Sequence, residues 1–156
     1  MTLTDDLRDR IALPEGVRWI EKLDARCEFW TDDLVMAKHQ LEDYYRWSLE
    51  PDSIVLVREV SGPIPVAGVL YATVHSDHLM IEMVARNKHA PYPGSGALLV
   101  GILANAVAPA LGIHELRLES RTNAVPYWDD KMGFEEYSAK IQDPEFGELT
   151  PKRKRV

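Results

Sequence analysis

Pro91-Tyr-Pro-Gly-Ser-Gly96 runs directly into Ala97-Leu-Leu-Val-Gly-Ile-Leu-Ala-Asn-Ala-Val107, and the reading of this junction decides the fold. Leu98, Leu99, Ile102, Leu103, Ala106 and Val107 fall on one helical stripe, wide enough to be buried against a sheet. Gly112 ends the helix. Before the loop, Leu79-Met-Ile-Glu-Met-Val84 is a short apolar run of strand type; beyond the helix, His114-Glu-Leu-Arg-Leu-Glu-Ser120 alternates polar with apolar residues. Strand, helix and strand in that order predict a parallel crossover. A glycine-bearing loop at the helix start exposes unpaired amides at the positive end of the helix dipole, which is a ready site for phosphate. The dinucleotide fingerprint needs a third glycine where Leu99 stands, and the P-loop needs Gly-Lys-Ser/Thr, which is absent. Gly-Ser-Gly alone equally describes a tight turn before a helix.

Outward from the junction, Ser53-Ile-Val-Leu-Val57 and Val66-Ala-Gly-Val-Leu-Tyr-Ala-Thr-Val74 are separated by the turn-forming Ser61-Gly-Pro63 and predict an antiparallel hairpin. His75-Ser-Asp-His78 turns the chain into the run at Leu79, which makes a third strand of the meander. Val17 to Leu23 alternates over part of its length as a first strand. Thr4 with Asp5 and Asp6 caps an N-terminal helix, and Thr31-Asp-Asp33 starts a second helix of about four to five turns that ends before Pro51. After Asn123 a short helix is expected to Met132, stopped by Gly133, then a strand over Phe134 to Ile141. The closing Lys152-Arg-Lys-Arg155 has the composition of a disordered basic tag.

At 156 residues, with 46% apolar and 28% charged residues, the chain predicts one domain, with a core over about 17–141 and a basic tail over 151–156. Eighteen Lys and Arg against 25 Asp and Glu give a net charge of -7, which argues against a nucleic-acid partner and tolerates a cationic one. Cys27 is the single cysteine, so no intramolecular disulfide forms and a reducing, cytoplasmic setting is expected. No stretch reaches the roughly 20 apolar residues of a membrane span, so no membrane partner is expected. His75, Asp77 and His78 contain ligand types for zinc but read as a solvated turn, and no metal is expected.

The element order, the loop Gly94-Ser-Gly96 and Asn123-Ala-Val-Pro-Tyr-Trp-Asp-Asp-Lys-Met-Gly-Phe134 together resemble the GNAT superfamily of acyl-CoA-dependent N-acyltransferases. The resemblance is firmest from about Leu79 to Tyr137. It implies an α/β fold: a mixed, mostly antiparallel sheet, splayed in the middle and flanked by helices. It also implies acetyl-CoA as co-substrate, with an amine acceptor that is a small molecule or a peptide, on a monomer or homodimer. The coenzyme would lie against Met83, Val84, Ala85, Arg86, Tyr92, Gly94, Ser95, Gly96, Ala97, Asn123 and Trp128. Pro91 stands where the family's loop carries Arg or Gln, and Arg86 or Lys88 is the candidate replacement for that charge.

The family's late motif often carries a Tyr general acid four residues before the glycine; here that position is Asp129, with Trp128 and Tyr127 one and two residues earlier. The register is shifted, or the helix is longer by a residue. Tyr127 is preferred as the acid because a phenol can protonate a departing thiolate, whereas an ionised Asp129 cannot donate. A primary amine with a pKa of about 10.4 also needs a base at neutral pH. The resemblance puts Glu82 at the splayed strand for that task, with His75 or His78 as the other candidates. The aromatic N-terminal stretch suggests Trp30 and Tyr45, with His75, as acceptor contacts. The other reading on the same scaffold is a non-catalytic acyl-CoA-binding or protein-interaction module.

Overall fold

A computed structural model describes residues 3–31, 36–61, 65–89 and 92–156. Helix α1 (Leu3–Arg10) precedes β1 (Val17–Trp19), and α2 (Leu41–Ser48) precedes the meander β2 (Ser53–Glu59), β3 (Val66–Val74) and β4 (Leu79–Arg86). Helix α3 (Ser95–Ile102) continues through a π-helical turn, Leu103–Val107, into α4 (Ala108–Leu111). The turn widens just ahead of Pro109, whose ring nitrogen has no hydrogen to give the helical ladder. The chain then forms β5 (Glu115–Arg121), β6 (Glu135–Glu136), β7 (Ile141–Asp143) and β8 (Gly147–Arg155).

All strands join one sheet in the order β1-β2-β3-β4-β5-β8-β6, with β7 also paired to β8. Among the described residues every pairing is antiparallel except β4 with β5, which is the parallel crossover expected from the strand–helix–strand reading. Alternation along the strands divides the apolar residues between two faces. Ile54, Leu56, Leu70 and Ile81 pack with Leu7 of α1 and with Leu99 and Leu103 of the long helix. Val55, Val57, Val69 and Ala85 pack on the other face with Phe29 and with Leu41 and Tyr44 of α2. Each fully buried side chain of this size stabilises the fold by about 1.5–3 kcal/mol relative to exposure. Among the described residues, no helix is long and apolar enough to cross a membrane.

Four local expectations are corrected. The first strand stops at Trp19, because Arg18 makes a bidentate ion pair with the buried Asp24 (2.7 Å to each oxygen) and folds the chain into a 3-10 turn over Lys22–Arg26. The second helix begins only at Leu41, where the Gln40 amide donates to the Asp43 carboxylate at 3.0 Å; residues 32–35 of its expected start lie outside the described residues. The strand expected over Phe134 to Ile141 is two short pieces, β6 and β7, both laid on β8.

The basic ending is not a disordered tag but the last part of β8, which pairs along all of β5 from Glu115↔Arg155 to Arg121↔Leu149. Its cations have fixed partners: Lys152 reaches Asp129 at 2.7 Å and Arg153 reaches Glu135 at 3.0 Å. Lys152 is only 3% exposed. Truncation after residue 149 removes a strand that is bonded on both edges and is expected to abolish the cooperative thermal transition; an unchanged melting curve would return these residues to a dispensable tail.

Candidate functional site

β4 and β5 pair over three residues only, Leu79–Ile81 with Leu116–Leu118, and then part. The cause lies in β4. Its register with β3 passes from Ala72↔Ile81 to Tyr71↔Met83, so Glu82 is a bulged residue without a β3 counterpart. A bulge bends its strand and increases the local twist, turning β4 away from β5. The fork opens a cleft of about 900 Å³ with Met83 to Arg86 on one wall and Leu118 to Arg121 on the other. The backbone edge of β4 is available inside it. Asn87 donates its amide to Ala67 on the β3 side at 2.9 Å, so alternation points the amides of Arg86 and Val84 into the fork.

The start of α3 closes one mouth of the cleft. The first bond of its ladder runs from the Leu98 amide to the Gly94 carbonyl at 2.9 Å, so the amides of Ser95, Gly96 and Ala97 precede the ladder. A Cβ on Gly96 would lie 3.2 Å from Val84 Cγ1 and 3.6 Å from the Tyr127 hydroxyl. A Cβ there would press on the Val84 methyl and touch the phenol, so the helix start, the β4 edge and Tyr127 converge on one point. Burial raises the Tyr127 pKa above its ordinary value, which keeps the hydroxyl protonated through neutral pH.

One residue of the two-residue shift in the late motif has a physical origin. Tyr127–Lys131 is a π-helical turn closed by the Met132 amide on the Tyr127 carbonyl (3.2 Å), so the segment is longer by a residue than an α-helical turn. Trp128 turns into the core, edge-on to Tyr127 and Phe134, and only borders the cleft. Asp129, at the spacing where the family motif has its tyrosine, is occupied by the buried Lys152 ammonium. Tyr127 is the member of the trio that reaches the cleft with a proton to give.

Glu82 points to the opposite sheet face. Thr73 Oγ1 donates to Glu82 Oε1 at 2.8 Å and lies 3.1 Å from His75 Nε2. The His75 ring stacks on His78 at 4.5 Å, and His78 Nδ1 lies 2.6 Å from Asp77. His75 therefore reaches the cleft only through Thr73. Among the described residues, no group of three or more His, Cys, Asp or Glu forms that could hold a metal ion.

Of the expected coenzyme contacts, Met83, Val84, Ala85, Arg86, Gly94, Ser95, Gly96, Ala97, Asn123 and Trp128 all border the cleft. Tyr92 does not; its exposed ring lies under Arg58. Trp30 is exposed outside the cleft, and Tyr45 lines a separate groove with Thr4, Arg8 and Leu49. The wall on the α2 side is instead built from Met36, Trp47 and Tyr71, with Trp47 stacked on Tyr71 at 5.1 Å. Phe146, held against Arg121, completes it from the β7–β8 turn. In the sequence Trp47 is one of several aromatics at helical spacing, and nothing local distinguishes it from Tyr45. Pro91 lies outside the described residues.

The sequence matches no family model and no curated protein. Solved structures do match. Ard1 from Thermoplasma volcanium superposes with a TM-score of 0.71 at 16% identity, over 90% of this chain and 96% of that one. Naa20 from Chaetomium thermophilum, in complex with a bisubstrate analogue, gives 0.65 at 20% identity over 90% and 86%. The PaiA N-acetyltransferase from Thermoplasma acidophilum, in complex with coenzyme A, gives 0.56 at 16% over 78% and 74%. The fold is that of the GNAT N-acetyltransferases, as the resemblance implied.

The Asp129–Lys152 pair is asymmetric, since the Lys152 side chain is 4% exposed and that of Asp129 37%. Asp129→Ala strands a buried ammonium and is expected to cost about 2 kcal/mol, whereas Lys152→Met leaves a carboxylate that water can reach and costs about 1 kcal/mol or less. Urea denaturation of both variants checks the order; the reverse order would mean that Lys152 is solvated.

Proposed function

We propose that the protein is an acetyl-CoA-dependent N-acetyltransferase that moves an acetyl group to a primary amine, on a small molecule or a peptide, by direct attack on the thioester. The observation that carries this reading is the placement of a phenol and a carboxylate on opposite sides of one fork. Tyr127 stands with Gly96 and Val84 at the α3 mouth, and Glu82 borders the cleft from the other sheet face.

The residues present fit the coenzyme. A Cβ on Gly96 would fill the space at the helix start, and the neighbouring amides of Ser95 to Ala97 suit a diphosphate. The edge of β4 from Met83 to Ala85 would lie along the pantetheine arm, with Arg86 and Asn123 beside the phosphates. Acetyl-CoA, when bound, supplies a thioester carbonyl and a thiolate leaving group. Val84 is placed to give its amide hydrogen to the carbonyl oxygen as charge develops there, the kind of preorganised donor that carries much of catalysis in acyl transfer. Glu82 takes the proton that an alkylammonium must lose, directly or through water, and Thr73 holds the receiving carboxylate in place. Tyr127 gives its phenolic proton to the sulfur and recovers one from solvent. The aromatic wall of Trp47 and Tyr71 faces the acceptor, and the acidic surplus of the chain favours a cationic one.

Binding and turnover test the reading separately. Acetyl-CoA at 100 times its dissociation constant is expected to stabilise the fold by about 2.7 kcal/mol, and Gly96→Glu to abolish that gain in a folded protein. No binding by calorimetry would sink the proposal. With an amine found by mass-spectrometric screening, Tyr127→Phe is expected to lose about 100-fold to 10,000-fold in kcat with acetyl-CoA affinity kept. Full activity in that variant would remove the phenol from the mechanism.

The pH profile follows from the same groups. kcat/KM rises with pH as the base or the amine loses its proton, and Glu82→Gln is expected to flatten or displace that limb. Because burial raises Tyr127, loss of its proton lowers the rate only above about pH 10. An unchanged profile in Glu82→Gln would pass the base to His75, His78 or water.

A further inference from the structure

Arg58 and Arg86 lie in one row across the sheet, because Arg58 pairs with Gly68 on β3 and Gly68 pairs with Arg86 on β4. Residues in register share a face, so both side chains leave the sheet on the side that α3 covers. Between them Gly68 contributes no side chain, and Ser95 occupies the gap: a Cβ on Gly68 would come within 3.0 Å of Ser95 Cβ. The first turn of α3 is thus seated on the sheet between two arginines.

Arg58 holds that seat with three contacts. Its Nη1 donates to Ser95 Oγ at 3.0 Å and to the Pro93 carbonyl at 3.4 Å, and its guanidinium lies 5.5 Å from the centre of the Tyr92 ring. Ser95 is 1% exposed and passes its own proton to the Tyr92 carbonyl at 2.8 Å, so Tyr92, Pro93 and Ser95 are all fixed through one side chain of β2. In a chain with seven more acidic than basic residues, cations are expected to find carboxylates. Among the described residues neither Arg58 nor Arg86 is ion-paired, and both flank the same helix start.

We propose that Arg58 is the positioning residue of the phosphate loop, doing from β2 what a charged residue within the loop would otherwise do, while Arg86 supplies the facing charge on the cleft side. The inference rests on the acetyl-CoA reading above. Arg58 acts through Ser95 and Pro93: it fixes the direction of the amides at Ser95, Gly96 and Ala97 before ligand arrives, and its uncompensated charge raises the potential at the same place. Both effects concern the diphosphate and neither concerns the thioester.

Titration calorimetry with two ligands reads that difference. Acetyl-CoA carries the diphosphate; S-acetylpantetheine carries the same thioester and arm without it. Arg58→Gln is expected to weaken acetyl-CoA by about 10-fold or more, the scale of a charge-assisted contact, and to change S-acetylpantetheine by less than about 2-fold. Arg58→Lys keeps the charge but loses the planar fork, and is expected to fall between; it carries the same comparison if the glutamine variant folds poorly. Equal loss for both ligands, or none for either, would overturn the role of Arg58 while leaving acetyl-CoA as the ligand. Failure of the unmodified protein to bind acetyl-CoA would overturn the parent reading and this one with it.

Discussion

The early parting of β4 from β5 is the constraint on which the rest of the structure depends. Three residue pairs hold the two strands together, and the bulge at Glu82 then turns β4 aside. A strand that leaves its neighbour exposes backbone donors and acceptors along the open edge, and in a protein interior this is tolerated only where the edge faces a ligand or water. The rest of the sheet makes the opening possible. β5 keeps its second edge fully bonded to β8, and β4 keeps its own to β3, so neither strand depends on the fork for its place.

The same bulge sets the chemistry. It reverses the alternation of β4, so that Ile81 and Val84 both pack toward the long helix, and it turns the Glu82 carboxylate to the other side beside Thr73. A straight strand would not give one cleft a helix start on one face and a carboxylate on the other. The proposed reactants would therefore enter from opposite faces, the diphosphate at the start of α3 on the Arg86 side, the amine beside Trp47 and Tyr71, and meet at the backbone of Val84. Tyr127 is brought to the same place by a π-helical turn, whose extra residue lets Trp128 remain in the core while the phenol faces the cleft.

The fold was legible where it is written in local pattern. The helical stripe from Leu98 to Val107, the alternation after His114 and the two apolar runs that pair as β2 and β3 each depend on neighbours in sequence, and each formed as read. What composition concealed was pairing. Lys152-Arg-Lys-Arg155 looks solvated until Asp129 and Glu135 are placed beside it, and those partners come from segments that only the folded sheet brings near. Much of the cleft lining was legible because its residues are contiguous, Met83 to Arg86 and Gly94 to Ala97; that they hold the coenzyme is the proposal. The opposite wall was not, since Met36, Trp47, Tyr71 and Phe146 come from four separate parts of the chain. Arg58 escaped the sequence for the same reason: it lies 37 residues from Ser95, and only the row through Gly68 joins them.

Amide chemical-shift mapping with acetyl-CoA tests the central claim most directly, because it asks where the ligand lies without requiring an acceptor. The account predicts saturable shifts at Met83 to Arg86, at Gly94 to Ala97 and at Asn123 and Tyr127, on both sides of the fork. Shifts confined to other surfaces, such as the groove of Arg8, Lys22 and Tyr45, would show that the opening between β4 and β5 is not the acyl-CoA site.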